Sequence, residues 1–365
     1  MKKSVITLAL VLVVALLTGC AGTPVVYYSN CTCPTGAHTE TAPVDPTPVT
    51  TAPSESTPVA EGAVKTGIAI IASAGESKSA GDADGEAKYD VSVVAVTVDD
   101  NGVIQSCVID SIGTSVLFDV SGAIVSDLTA EVPTKNELGD AYNMKLYGNA
   151  VAEWYEQAAA LASYAEGKTV EELRAGAVDE TGHAVDADLA TTATIYLGGY
   201  AAAIEKAAAN AQHLGAQSGD ELKLAIVSSV DGSSSADAEN AGLAELYTSV
   251  AAVTLKDGVI TSCFIDAVQA KVNFDATGTV TTDLTAPIAT KNELGEGYGM
   301  KAWGGAIAEW NEQAASFAAY ITGKTPAEVA GIAVDETTKP TDADLLTSVT
   351  IKIGDFQALI AKACN

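Results

Sequence analysis

The sequence contains one distinctive segment twice. It reads TKNELGDAYNM over residues 134–144 and TKNELGEGYGM over residues 290–300. The correspondence continues downstream at a constant spacing, so that Trp154 pairs with Trp310. A tandem duplication of this kind predicts two units with the same fold. It also gives each candidate functional residue a counterpart with which its role can be compared.

The N-terminal sequence has the pattern of an exported lipoprotein. Two lysines follow the first methionine, and residues 5–17 form an apolar run that is too short to span a bilayer comfortably. The run ends in Leu-Thr-Gly-Cys at Cys20, which resembles a bacterial lipobox. We predict a signal peptide over residues 1–19, a lipid on Cys20, and anchoring at the cell surface to the outer face of the cytoplasmic membrane. The alternative is an ordinary signal peptide with a chance cysteine.

A segment rich in Pro and Thr follows the anchor. Residues 20–61 include the stretch TAPVDPTPVTTAPSESTP, which has almost nothing to bury and is typical of an extended stalk. The remaining chain divides at the duplication into repeat 1, residues 62–216, and repeat 2, residues 217–365. Each repeat has the usual length of a single domain.

Charge and histidine placement exclude several functions. The formal net charge of −28 would repel a polyanion, so we expect no nucleic-acid binding. The two repeats contain only His183 and His213, and Lys339 occupies the position that matches His183. The sequence has no duplicated histidine-based site and no standard catalytic motif. A binding function is therefore favoured over an enzymatic one.

Alternating β-branched residues predict an antiparallel sheet in each repeat. They flank Asn101-Gly102 in repeat 1 and Asp257-Gly258 in repeat 2, which are strong hairpin signals. An apolar run precedes each hairpin, and a further alternating segment turns at Gly122 in repeat 1. We therefore predict a β-meander of about four strands per repeat.

Helices are predicted after each sheet. Apolar residues from Val151 to Ala165 recur at three- and four-residue spacing, and the matching helix of repeat 2 begins at Ile307. A capping box at Thr169 begins a second helix, and alternation after Asp188 predicts a strand before a last alanine-rich helix. The expected fold class is α+β: two tandem homologous units, each an antiparallel sheet with helices packed on one face.

The duplicated segment carries the best polar cluster in the chain. Its members are Lys135, Asn136 and Glu137 in repeat 1 and Lys291, Asn292 and Glu293 in repeat 2. Three unlike polar groups at a strand-to-helix junction are suited to binding an anion, with help from backbone N–H groups. The alternative is a helix-entry loop in which Asn and Glu bind backbone donors and the lysine is solvated.

Aromatic residues form a second set of candidates. Trp154 and Trp310, together with Tyr142 and Tyr298, are able to stack on a planar ligand. Residues near an apolar helical face more often belong to the core, which is the alternative interpretation.

Two sets of carboxylates are weaker candidates. Asp186 and Asp188 form a D-x-D that suggests Ca²⁺, but two side chains fall short of the six or more oxygens that this ion usually needs, which favours a turn. A hydrolase hypothesis pairs Glu137 with Glu153, but Glu153 is expected to be solvated on its helix. We therefore predict no metal site and no catalytic carboxylate pair.

The segment from Asp188 to Thr194 resembles a motif of the bacterial FMN-binding domain. It reads DLATTAT and is similar to the D-x-x-S/T-G/x-A-T pattern of that family, with Thr192 at the usual glycine. In that family the last threonine receives FMN through a phosphoester bond made by a separate flavin transferase. The resemblance implies FMN attachment at Thr194 and, within DLLTSVT of repeat 2, at Thr350.

The layout of the chain adds to this resemblance. Two repeats on a lipobox and a stalk are similar to flavinylated surface lipoproteins that move electrons outward from Gram-positive cells. The implied function is an FMN-carrying lipoprotein that works with a flavin transferase and a redox partner. The alternative is a non-catalytic surface binding or adhesion lipoprotein that recognises a small ligand or a cell-wall component.

Overall fold

A computed structural model describes residues 62–148 and 150–364 of the chain. The signal peptide, Cys20 and the stalk, all predicted within residues 1–61, lie outside the described residues. Within the described ranges, no helix is both long enough and apolar enough to cross a membrane.

Each repeat begins with a three-stranded antiparallel sheet. The strands are β1 (Lys65–Ser73), β2 (Gly85–Val98) and β3 (Ile104–Phe118) in repeat 1, and β4 (Glu221–Ser229), β5 (Gly242–Lys256) and β6 (Val259–Phe274) in repeat 2. Strands pair in sequence order in both sheets. The predicted hairpins are confirmed, and their glycines, Gly102 and Gly258, adopt positive φ angles of 80° and 78°.

The fourth strand predicted for each sheet is reduced to a single bridge. After β3 the chain turns at Gly122, and Ile124 forms an isolated bridge with Phe118. The backbone N–H of Leu117, which would extend the ladder, donates instead to the Ser126 hydroxyl at 2.8 Å. A side-chain acceptor therefore ends the ladder, and the prediction of about four strands per repeat was wrong.

Helices follow each sheet and cover its outer face. They are α1 (Lys135–Leu138), α2 (Met144–Gly148), α3 (Trp154–Ala165), α4 (Val170–Gly176), α5 (Ala187–Thr192) and α6 (Gly198–Ala209) in repeat 1, and α7 (Lys291–Leu294), α8 (Met300–Gly304), α9 (Trp310–Ile321), α10 (Pro326–Ala330), α11 (Ala343–Leu346) and α12 (Gly354–Ala363) in repeat 2. Helices α3 and α6 pack on the first sheet, and α9 and α12 pack on the second. The predicted α+β class, with two tandem units and helices on one face of each sheet, is confirmed.

The long helix after each sheet starts later than its apolar pattern predicted. It begins at Trp154 in repeat 1 and at Trp310 in repeat 2. Val151 and Ile307 lie outside the helices and are 58% and 54% exposed, so their placement on the apolar face was wrong. The residue before each tryptophan is a glutamate that forms a capping box with its helix, which fixes the start.

The strand predicted after Asp188 was also wrong. The segment forms the short helix α5, and irregular backbone then leads into α6. The cause is local, because the carboxylate of Asp186 accepts the N–H groups of Asp188 and Leu189 at 3.0 and 3.1 Å and caps a helix. The predicted capping box at Thr169 is confirmed.

The inner faces of the two sheets pack against each other. Their shared core includes Ile68, Tyr89, Val93, Ile112, Ile226, Leu246 and Val268. Loops at the edge of this interface exchange equivalent hydrogen bonds: Ala80 donates its N–H to Gly278 at 2.8 Å, and Ala236 donates to Gly122 at 2.7 Å. The layers therefore run helices, sheet, sheet, helices, and the two repeats share one core.

Candidate functional site

The duplicated TKNE stretch builds a capping box at the start of α1 and of α7. In repeat 1 the Thr134 hydroxyl accepts the Glu137 N–H at 3.2 Å, and the Glu137 carboxylate accepts the Thr134 N–H at 2.8 Å. The other carboxylate oxygen of Glu137 binds Lys362 of repeat 2 at 2.7 Å. Glu293 makes the equivalent contacts and binds Lys206 of repeat 1 at 2.5 Å. Both glutamates are therefore occupied by structural contacts.

The asparagine of the same stretch ties it to the sheet. Asn136 donates its side-chain amide to the Ile109 carbonyl at 2.9 Å and its backbone N–H to Asp110 at 3.1 Å. Asn292 makes the same two contacts in repeat 2, the second of them with Asp266. Burial raises the pKa of Asp266 to about 6, although three hydrogen bonds to its carboxylate oppose the rise. The helix-entry interpretation, in which Asn and Glu bind backbone donors, holds for Glu137, whereas the Asn136 side chain binds a backbone acceptor instead.

The lysine behaves differently from its two neighbours. Lys291 is only 5% exposed, and its Nζ lies 4.6, 4.7 and 4.8 Å from the ring centroids of Tyr247, Tyr298 and Trp310. The ammonium also donates to the Tyr247 hydroxyl at 3.0 Å. Burial lowers the pKa of Lys291 to about 8, because desolvation outweighs the attraction of nearby carboxylates. This lysine is therefore enclosed in an aromatic cage and is not solvated.

Lys135 occupies a looser form of the same cage. Its Nζ lies 5.2 Å from the Trp154 ring centroid and 5.4 Å from that of Tyr142. The third ring is missing, because the strand register places Asp90 where repeat 2 has Tyr247. Lys135 is half-buried as a result. Both repeats thus place a lysine over aromatic faces, at a distance typical of cation–π contacts.

Each cage shares aromatic residues with a surface cleft: Tyr142 and Trp154 line the cleft of repeat 1, and Tyr247 and Trp310 line that of repeat 2. The repeat-1 cleft has a volume of about 420 Å³ and the repeat-2 cleft about 530 Å³. Equivalent residues line both of them, among them Met144 and Met300, Trp154 and Trp310, and Ile195 and Ile351. These volumes lie within the range of small-molecule sites in proteins. The duplication has therefore preserved a cleft as well as a fold.

The tryptophans belong both to the core and to the clefts. Trp154 and Trp310 are 2% and 5% exposed and pack in the helix–sheet cores, while one edge of each lines its cleft. The two interpretations offered by the sequence are therefore compatible.

Of the two threonines singled out by the FMN-binding resemblance, Thr350 lines its cleft and Thr194 is next in sequence to a lining residue, Ile195. Thr194 is exposed, Thr350 is half-buried, and neither is part of a strand. In repeat 2 the cleft lined by Thr350 therefore shares Tyr247 and Trp310 with the cage of Lys291.

A buried glutamine holds each threonine segment in place. Gln313 is fully buried; it donates to the Ala308 carbonyl at 2.8 Å and accepts the N–H groups of Thr350 and Ile351 at 2.8 and 3.2 Å. Gln157 makes the same contacts in repeat 1. Sequence analysis did not identify these glutamines, although the duplicated Glu-Gln pair of EWYEQ and EWNEQ was available as a signal.

The glutamate before each tryptophan is buried, contrary to the expectation that it is solvated. Glu153 and Glu309 are 3% and 2% exposed. The Glu153 carboxylate accepts the N–H groups of Met144 and Lys145 at 2.7 and 3.2 Å and so caps α2. Glu137 is bound to the other repeat by its lysine contact. The two carboxylates of the hydrolase hypothesis are therefore both engaged and do not form a free acid–base pair.

The D-x-D motif is structural as well. Asp186 and its counterpart Asp342 are helix N-caps, each accepting two backbone N–H groups. Across residues 62–148 and 150–364, no group of three or more His, Cys, Asp or Glu side chains is arranged to hold a metal ion.

Comparison with known proteins does not assign the chain to a family. No protein-family model matches the chain, and no curated protein or solved structure matches it significantly. The function must therefore be argued from the residues and the geometry of the two clefts.

Proposed function

We propose that the protein is a lipid-anchored FMN carrier, in which each cleft holds one FMN attached to Thr194 or Thr350 and the protein moves electrons at the cell surface. The observation that carries this proposal is the position of Thr350. It lines one cleft together with Tyr247 and Trp310, beside the caged Lys291. In the attachment, the Thr350 oxygen would bond to the flavin phosphate of a flavin dinucleotide donor supplied by the transferase; the diphosphate bond would break, the nucleoside monophosphate would leave, and the hydroxyl proton would pass to a base of the transferase.

The chemistry of the repeat-2 cleft fits the group. Tyr247, Trp310 and Phe356 supply apolar and aromatic surface for a planar ring. Lys339 and Lys352 line the same cleft and supply positive charge for a phosphate. The cleft also lies at the start of α12, whose first N–H groups receive no side-chain cap and favour negative charge.

The backbone around the threonines suits enzymatic attachment. A flavin transferase needs an accessible segment, and Thr194 lies exposed in irregular backbone between α5 and α6. Thr192 and Ser348, which replace the usual glycine of the motif, do not have the positive φ angles that would require glycine. The departures from the family pattern are therefore compatible with the conformation of this segment.

FMN would supply the redox chemistry itself. The protein's residues would bind the phosphate, pack against the ring and keep water away from one face. Such a protein needs no free acid–base pair, which is consistent with the ion pair of Glu137 and the hydrogen bonds of Glu153. A lipid on Cys20 and a stalk would keep both clefts close to the membrane, where the redox partner would act.

The test is an intact-mass measurement with a visible spectrum. Co-expression with a flavin transferase should give a yellow protein that carries the mass of two flavin units. Thr194→Ala and Thr350→Ala should each remove one unit, and the double variant should be colourless. Thr347→Ala is the matched control, because Thr347 is exposed in the same segment and its hydroxyl donates only to the Asp344 carbonyl. Native material that is colourless and of unmodified mass would refute covalent attachment.

A second candidate function is non-covalent recognition of a small ligand or cell-wall component. It is favoured by exposed aromatic residues at equivalent positions of the two repeats, Tyr147 on α2 and Trp303 on α8, which are 84% and 91% exposed. Large exposed aromatic side chains at equivalent positions are typical of recognition surfaces. Tyr147→Ala and Trp303→Ala should then abolish thermal stabilisation by cell-wall fragments while leaving flavin content unchanged.

A further inference from the structure

The two clefts have the same position in their repeats but differ in the exposed lysines that line them. In the repeat-2 cleft, Lys339 and Lys352 replace His183 and Tyr196 of repeat 1. Among the residues that line the repeat-1 cleft, only Lys135 carries a full charge. The repeat-2 cleft therefore has two additional cationic side chains at its surface.

These additional lysines are available to a ligand. Lys339 and Lys352 are both exposed, and neither lies within 4 Å of a carboxylate in the part of the chain that the structure describes. Asp355 is the one acidic residue that lines the cleft, and Lys291 lies behind the aromatic wall. Two lysines and one aspartate give the lining of the repeat-2 cleft a formal charge of +1, which equals that of the repeat-1 cleft with its single Lys135. The two clefts therefore differ in the number of exposed ammonium groups and not in net charge.

The repeat-1 cleft has aromatic residues where the repeat-2 cleft has its exposed lysines. Its lining includes Tyr142, Trp154, Tyr196 and Tyr200, which present ring surface and hydroxyl groups. Tyr196 also meets His183 edge to face, with centroids 6.4 Å apart, so an aromatic pair occupies the two positions that carry lysines in repeat 2. Such a lining favours a planar body, and the one ammonium group of the cleft, that of Lys135, is half-buried against the rings of Tyr142 and Trp154.

We propose that the two clefts differ in specificity: the repeat-2 cleft selects planar ligands that bear a phosphate, through Lys339 and Lys352, whereas the repeat-1 cleft accepts the planar body alone. The proposal rests on the proposed function for the flavin body, but the preference for phosphate is independent of it. Each hydrogen bond from a lysine to a phosphate oxygen is worth about one to two decades of affinity. FMN and riboflavin differ only by the phosphate, so this pair of ligands measures the preference directly.

The duplication supplies matched variants for the experiment. Lys339→His with Lys352→Tyr gives the repeat-2 cleft the side chains of repeat 1, and His183→Lys with Tyr196→Lys makes the reverse exchange. All four positions are exposed, so both variants should fold.

The measurement uses protein made without a flavin transferase and titrated with FMN or riboflavin, followed by flavin fluorescence. Wild type should bind FMN at one site at least about tenfold more tightly than riboflavin, and this preference should weaken in high salt. The Lys339→His/Lys352→Tyr variant should lose the preference, and the reverse exchange should create a second phosphate-selective site.

Inorganic phosphate serves as the second probe, through its effect on thermal stability. It should stabilise wild type and not the Lys339→His/Lys352→Tyr variant. Binding of neither flavin would overturn the proposed difference in specificity, whereas covalent attachment is tested separately by the mass measurement, so the two failures are distinguishable. Equal affinities of wild type for FMN and riboflavin, or an exchange without effect on either probe, would also overturn the proposed difference.

Discussion

Phe118 and Phe274 stack on each other across the interface between the two sheets, with ring centroids 4.0 Å apart and ring planes within 2° of parallel. They occupy the same position in the two repeats, at the ends of β3 and β6. A residue meets its own counterpart only near an axis that exchanges the repeats. The repeats are therefore arranged about a local two-fold axis, in agreement with the reciprocal lysine–glutamate pairs that join them. Neither sheet could bury its inner face without the other.

We predict that Phe118→Ala destabilises the whole molecule by about 3–5 kcal/mol, because it leaves a cavity in the core shared by both repeats. Chemical denaturation followed by circular dichroism should show one transition in wild type and in the variant. Leu117→Ala is the control; Leu117 is the preceding residue and is 37% exposed, so its removal should cost less than about 1 kcal/mol. Two separate transitions in wild type would contradict a shared core.

The buried glutamines give a second prediction. Gln313→Leu leaves the N–H groups of Thr350 and Ile351 and the carbonyl of Ala308 without partners, at a cost of about 1–3 kcal/mol for each group that stays buried. The variant should be less stable in urea, and the amide of Thr350 should exchange faster with solvent. Gln313→Glu places an ionisable carboxyl group at a fully buried position facing the Ala308 carbonyl, so it should be destabilising when ionised and should approach wild type only when protonated. Unchanged exchange at Thr350 in the Leu variant would show that the glutamine does not hold this segment.

The buried Asp266 gives a prediction about pH. Its folded pKa of about 6 lies above the ordinary value near 3.9, so the folded protein binds more protons than the unfolded chain between these values. Its contribution to stability is fully present below about pH 4 and is lost as the pH rises through 6. Asp266→Asn stays neutral and should lack this loss. The free energy of unfolding of the variant minus that of wild type should therefore grow between pH 4 and 7, by at most about 3 kcal/mol.

Urea titrations of wild type and Asp266→Asn at several pH values test this dependence. Asp110→Asn in repeat 1 is the matched variant, because burial raises the pKa of Asp110 as well. A difference between variant and wild type that does not change with pH would show that Asp266 is ionised in the folded protein throughout this range.

Much of the fold followed from local chemistry in the sequence. The Asn-Gly and Asp-Gly turns identified the hairpins, and Thr169 identified a helix start, because each signal acts through atoms a few residues apart. The strand predicted after Asp188 failed where two local signals competed. Alternating residues suggested a strand, but Asp186 capped a helix. The capping hydrogen bonds of Asp186 stabilise a helix, whereas the alternating segment has no neighbouring strand with which to form a ladder.

The candidate site was harder to predict from the sequence than the fold, because the site depends on contacts between distant segments. The cage of Lys291 combines a residue of β5, Tyr247, with residues that follow in the duplicated segment and α9. Tyr247 has Asp90 as its counterpart, so the duplication gave no signal for it. The sheet-to-sheet packing was also not predicted, since alternation along a strand indicates a buried face but does not identify what covers it.

The caged Lys291 gives the last prediction, in which two effects oppose each other. Contacts with three rings favour the ammonium by about 0.5–2 kcal/mol each, whereas burial lowers the pKa to about 8 and so disfavours it. If desolvation dominates, Lys291→Met should be at least as stable as wild type at pH 7. The folded protein would then bind fewer protons than the unfolded chain between pH 8 and about 10.4, so wild type should gain stability across that window while the variant does not. Urea denaturation at pH 7 and pH 10 measures the stability difference at pH 7 and its change with pH. Lys135→Met is the same substitution in the looser cage.

A variant that is less stable than wild type by more than about 1 kcal/mol at pH 7 would show that the cation–π contacts more than offset the desolvation of the ammonium, and that the cage stabilises a cation.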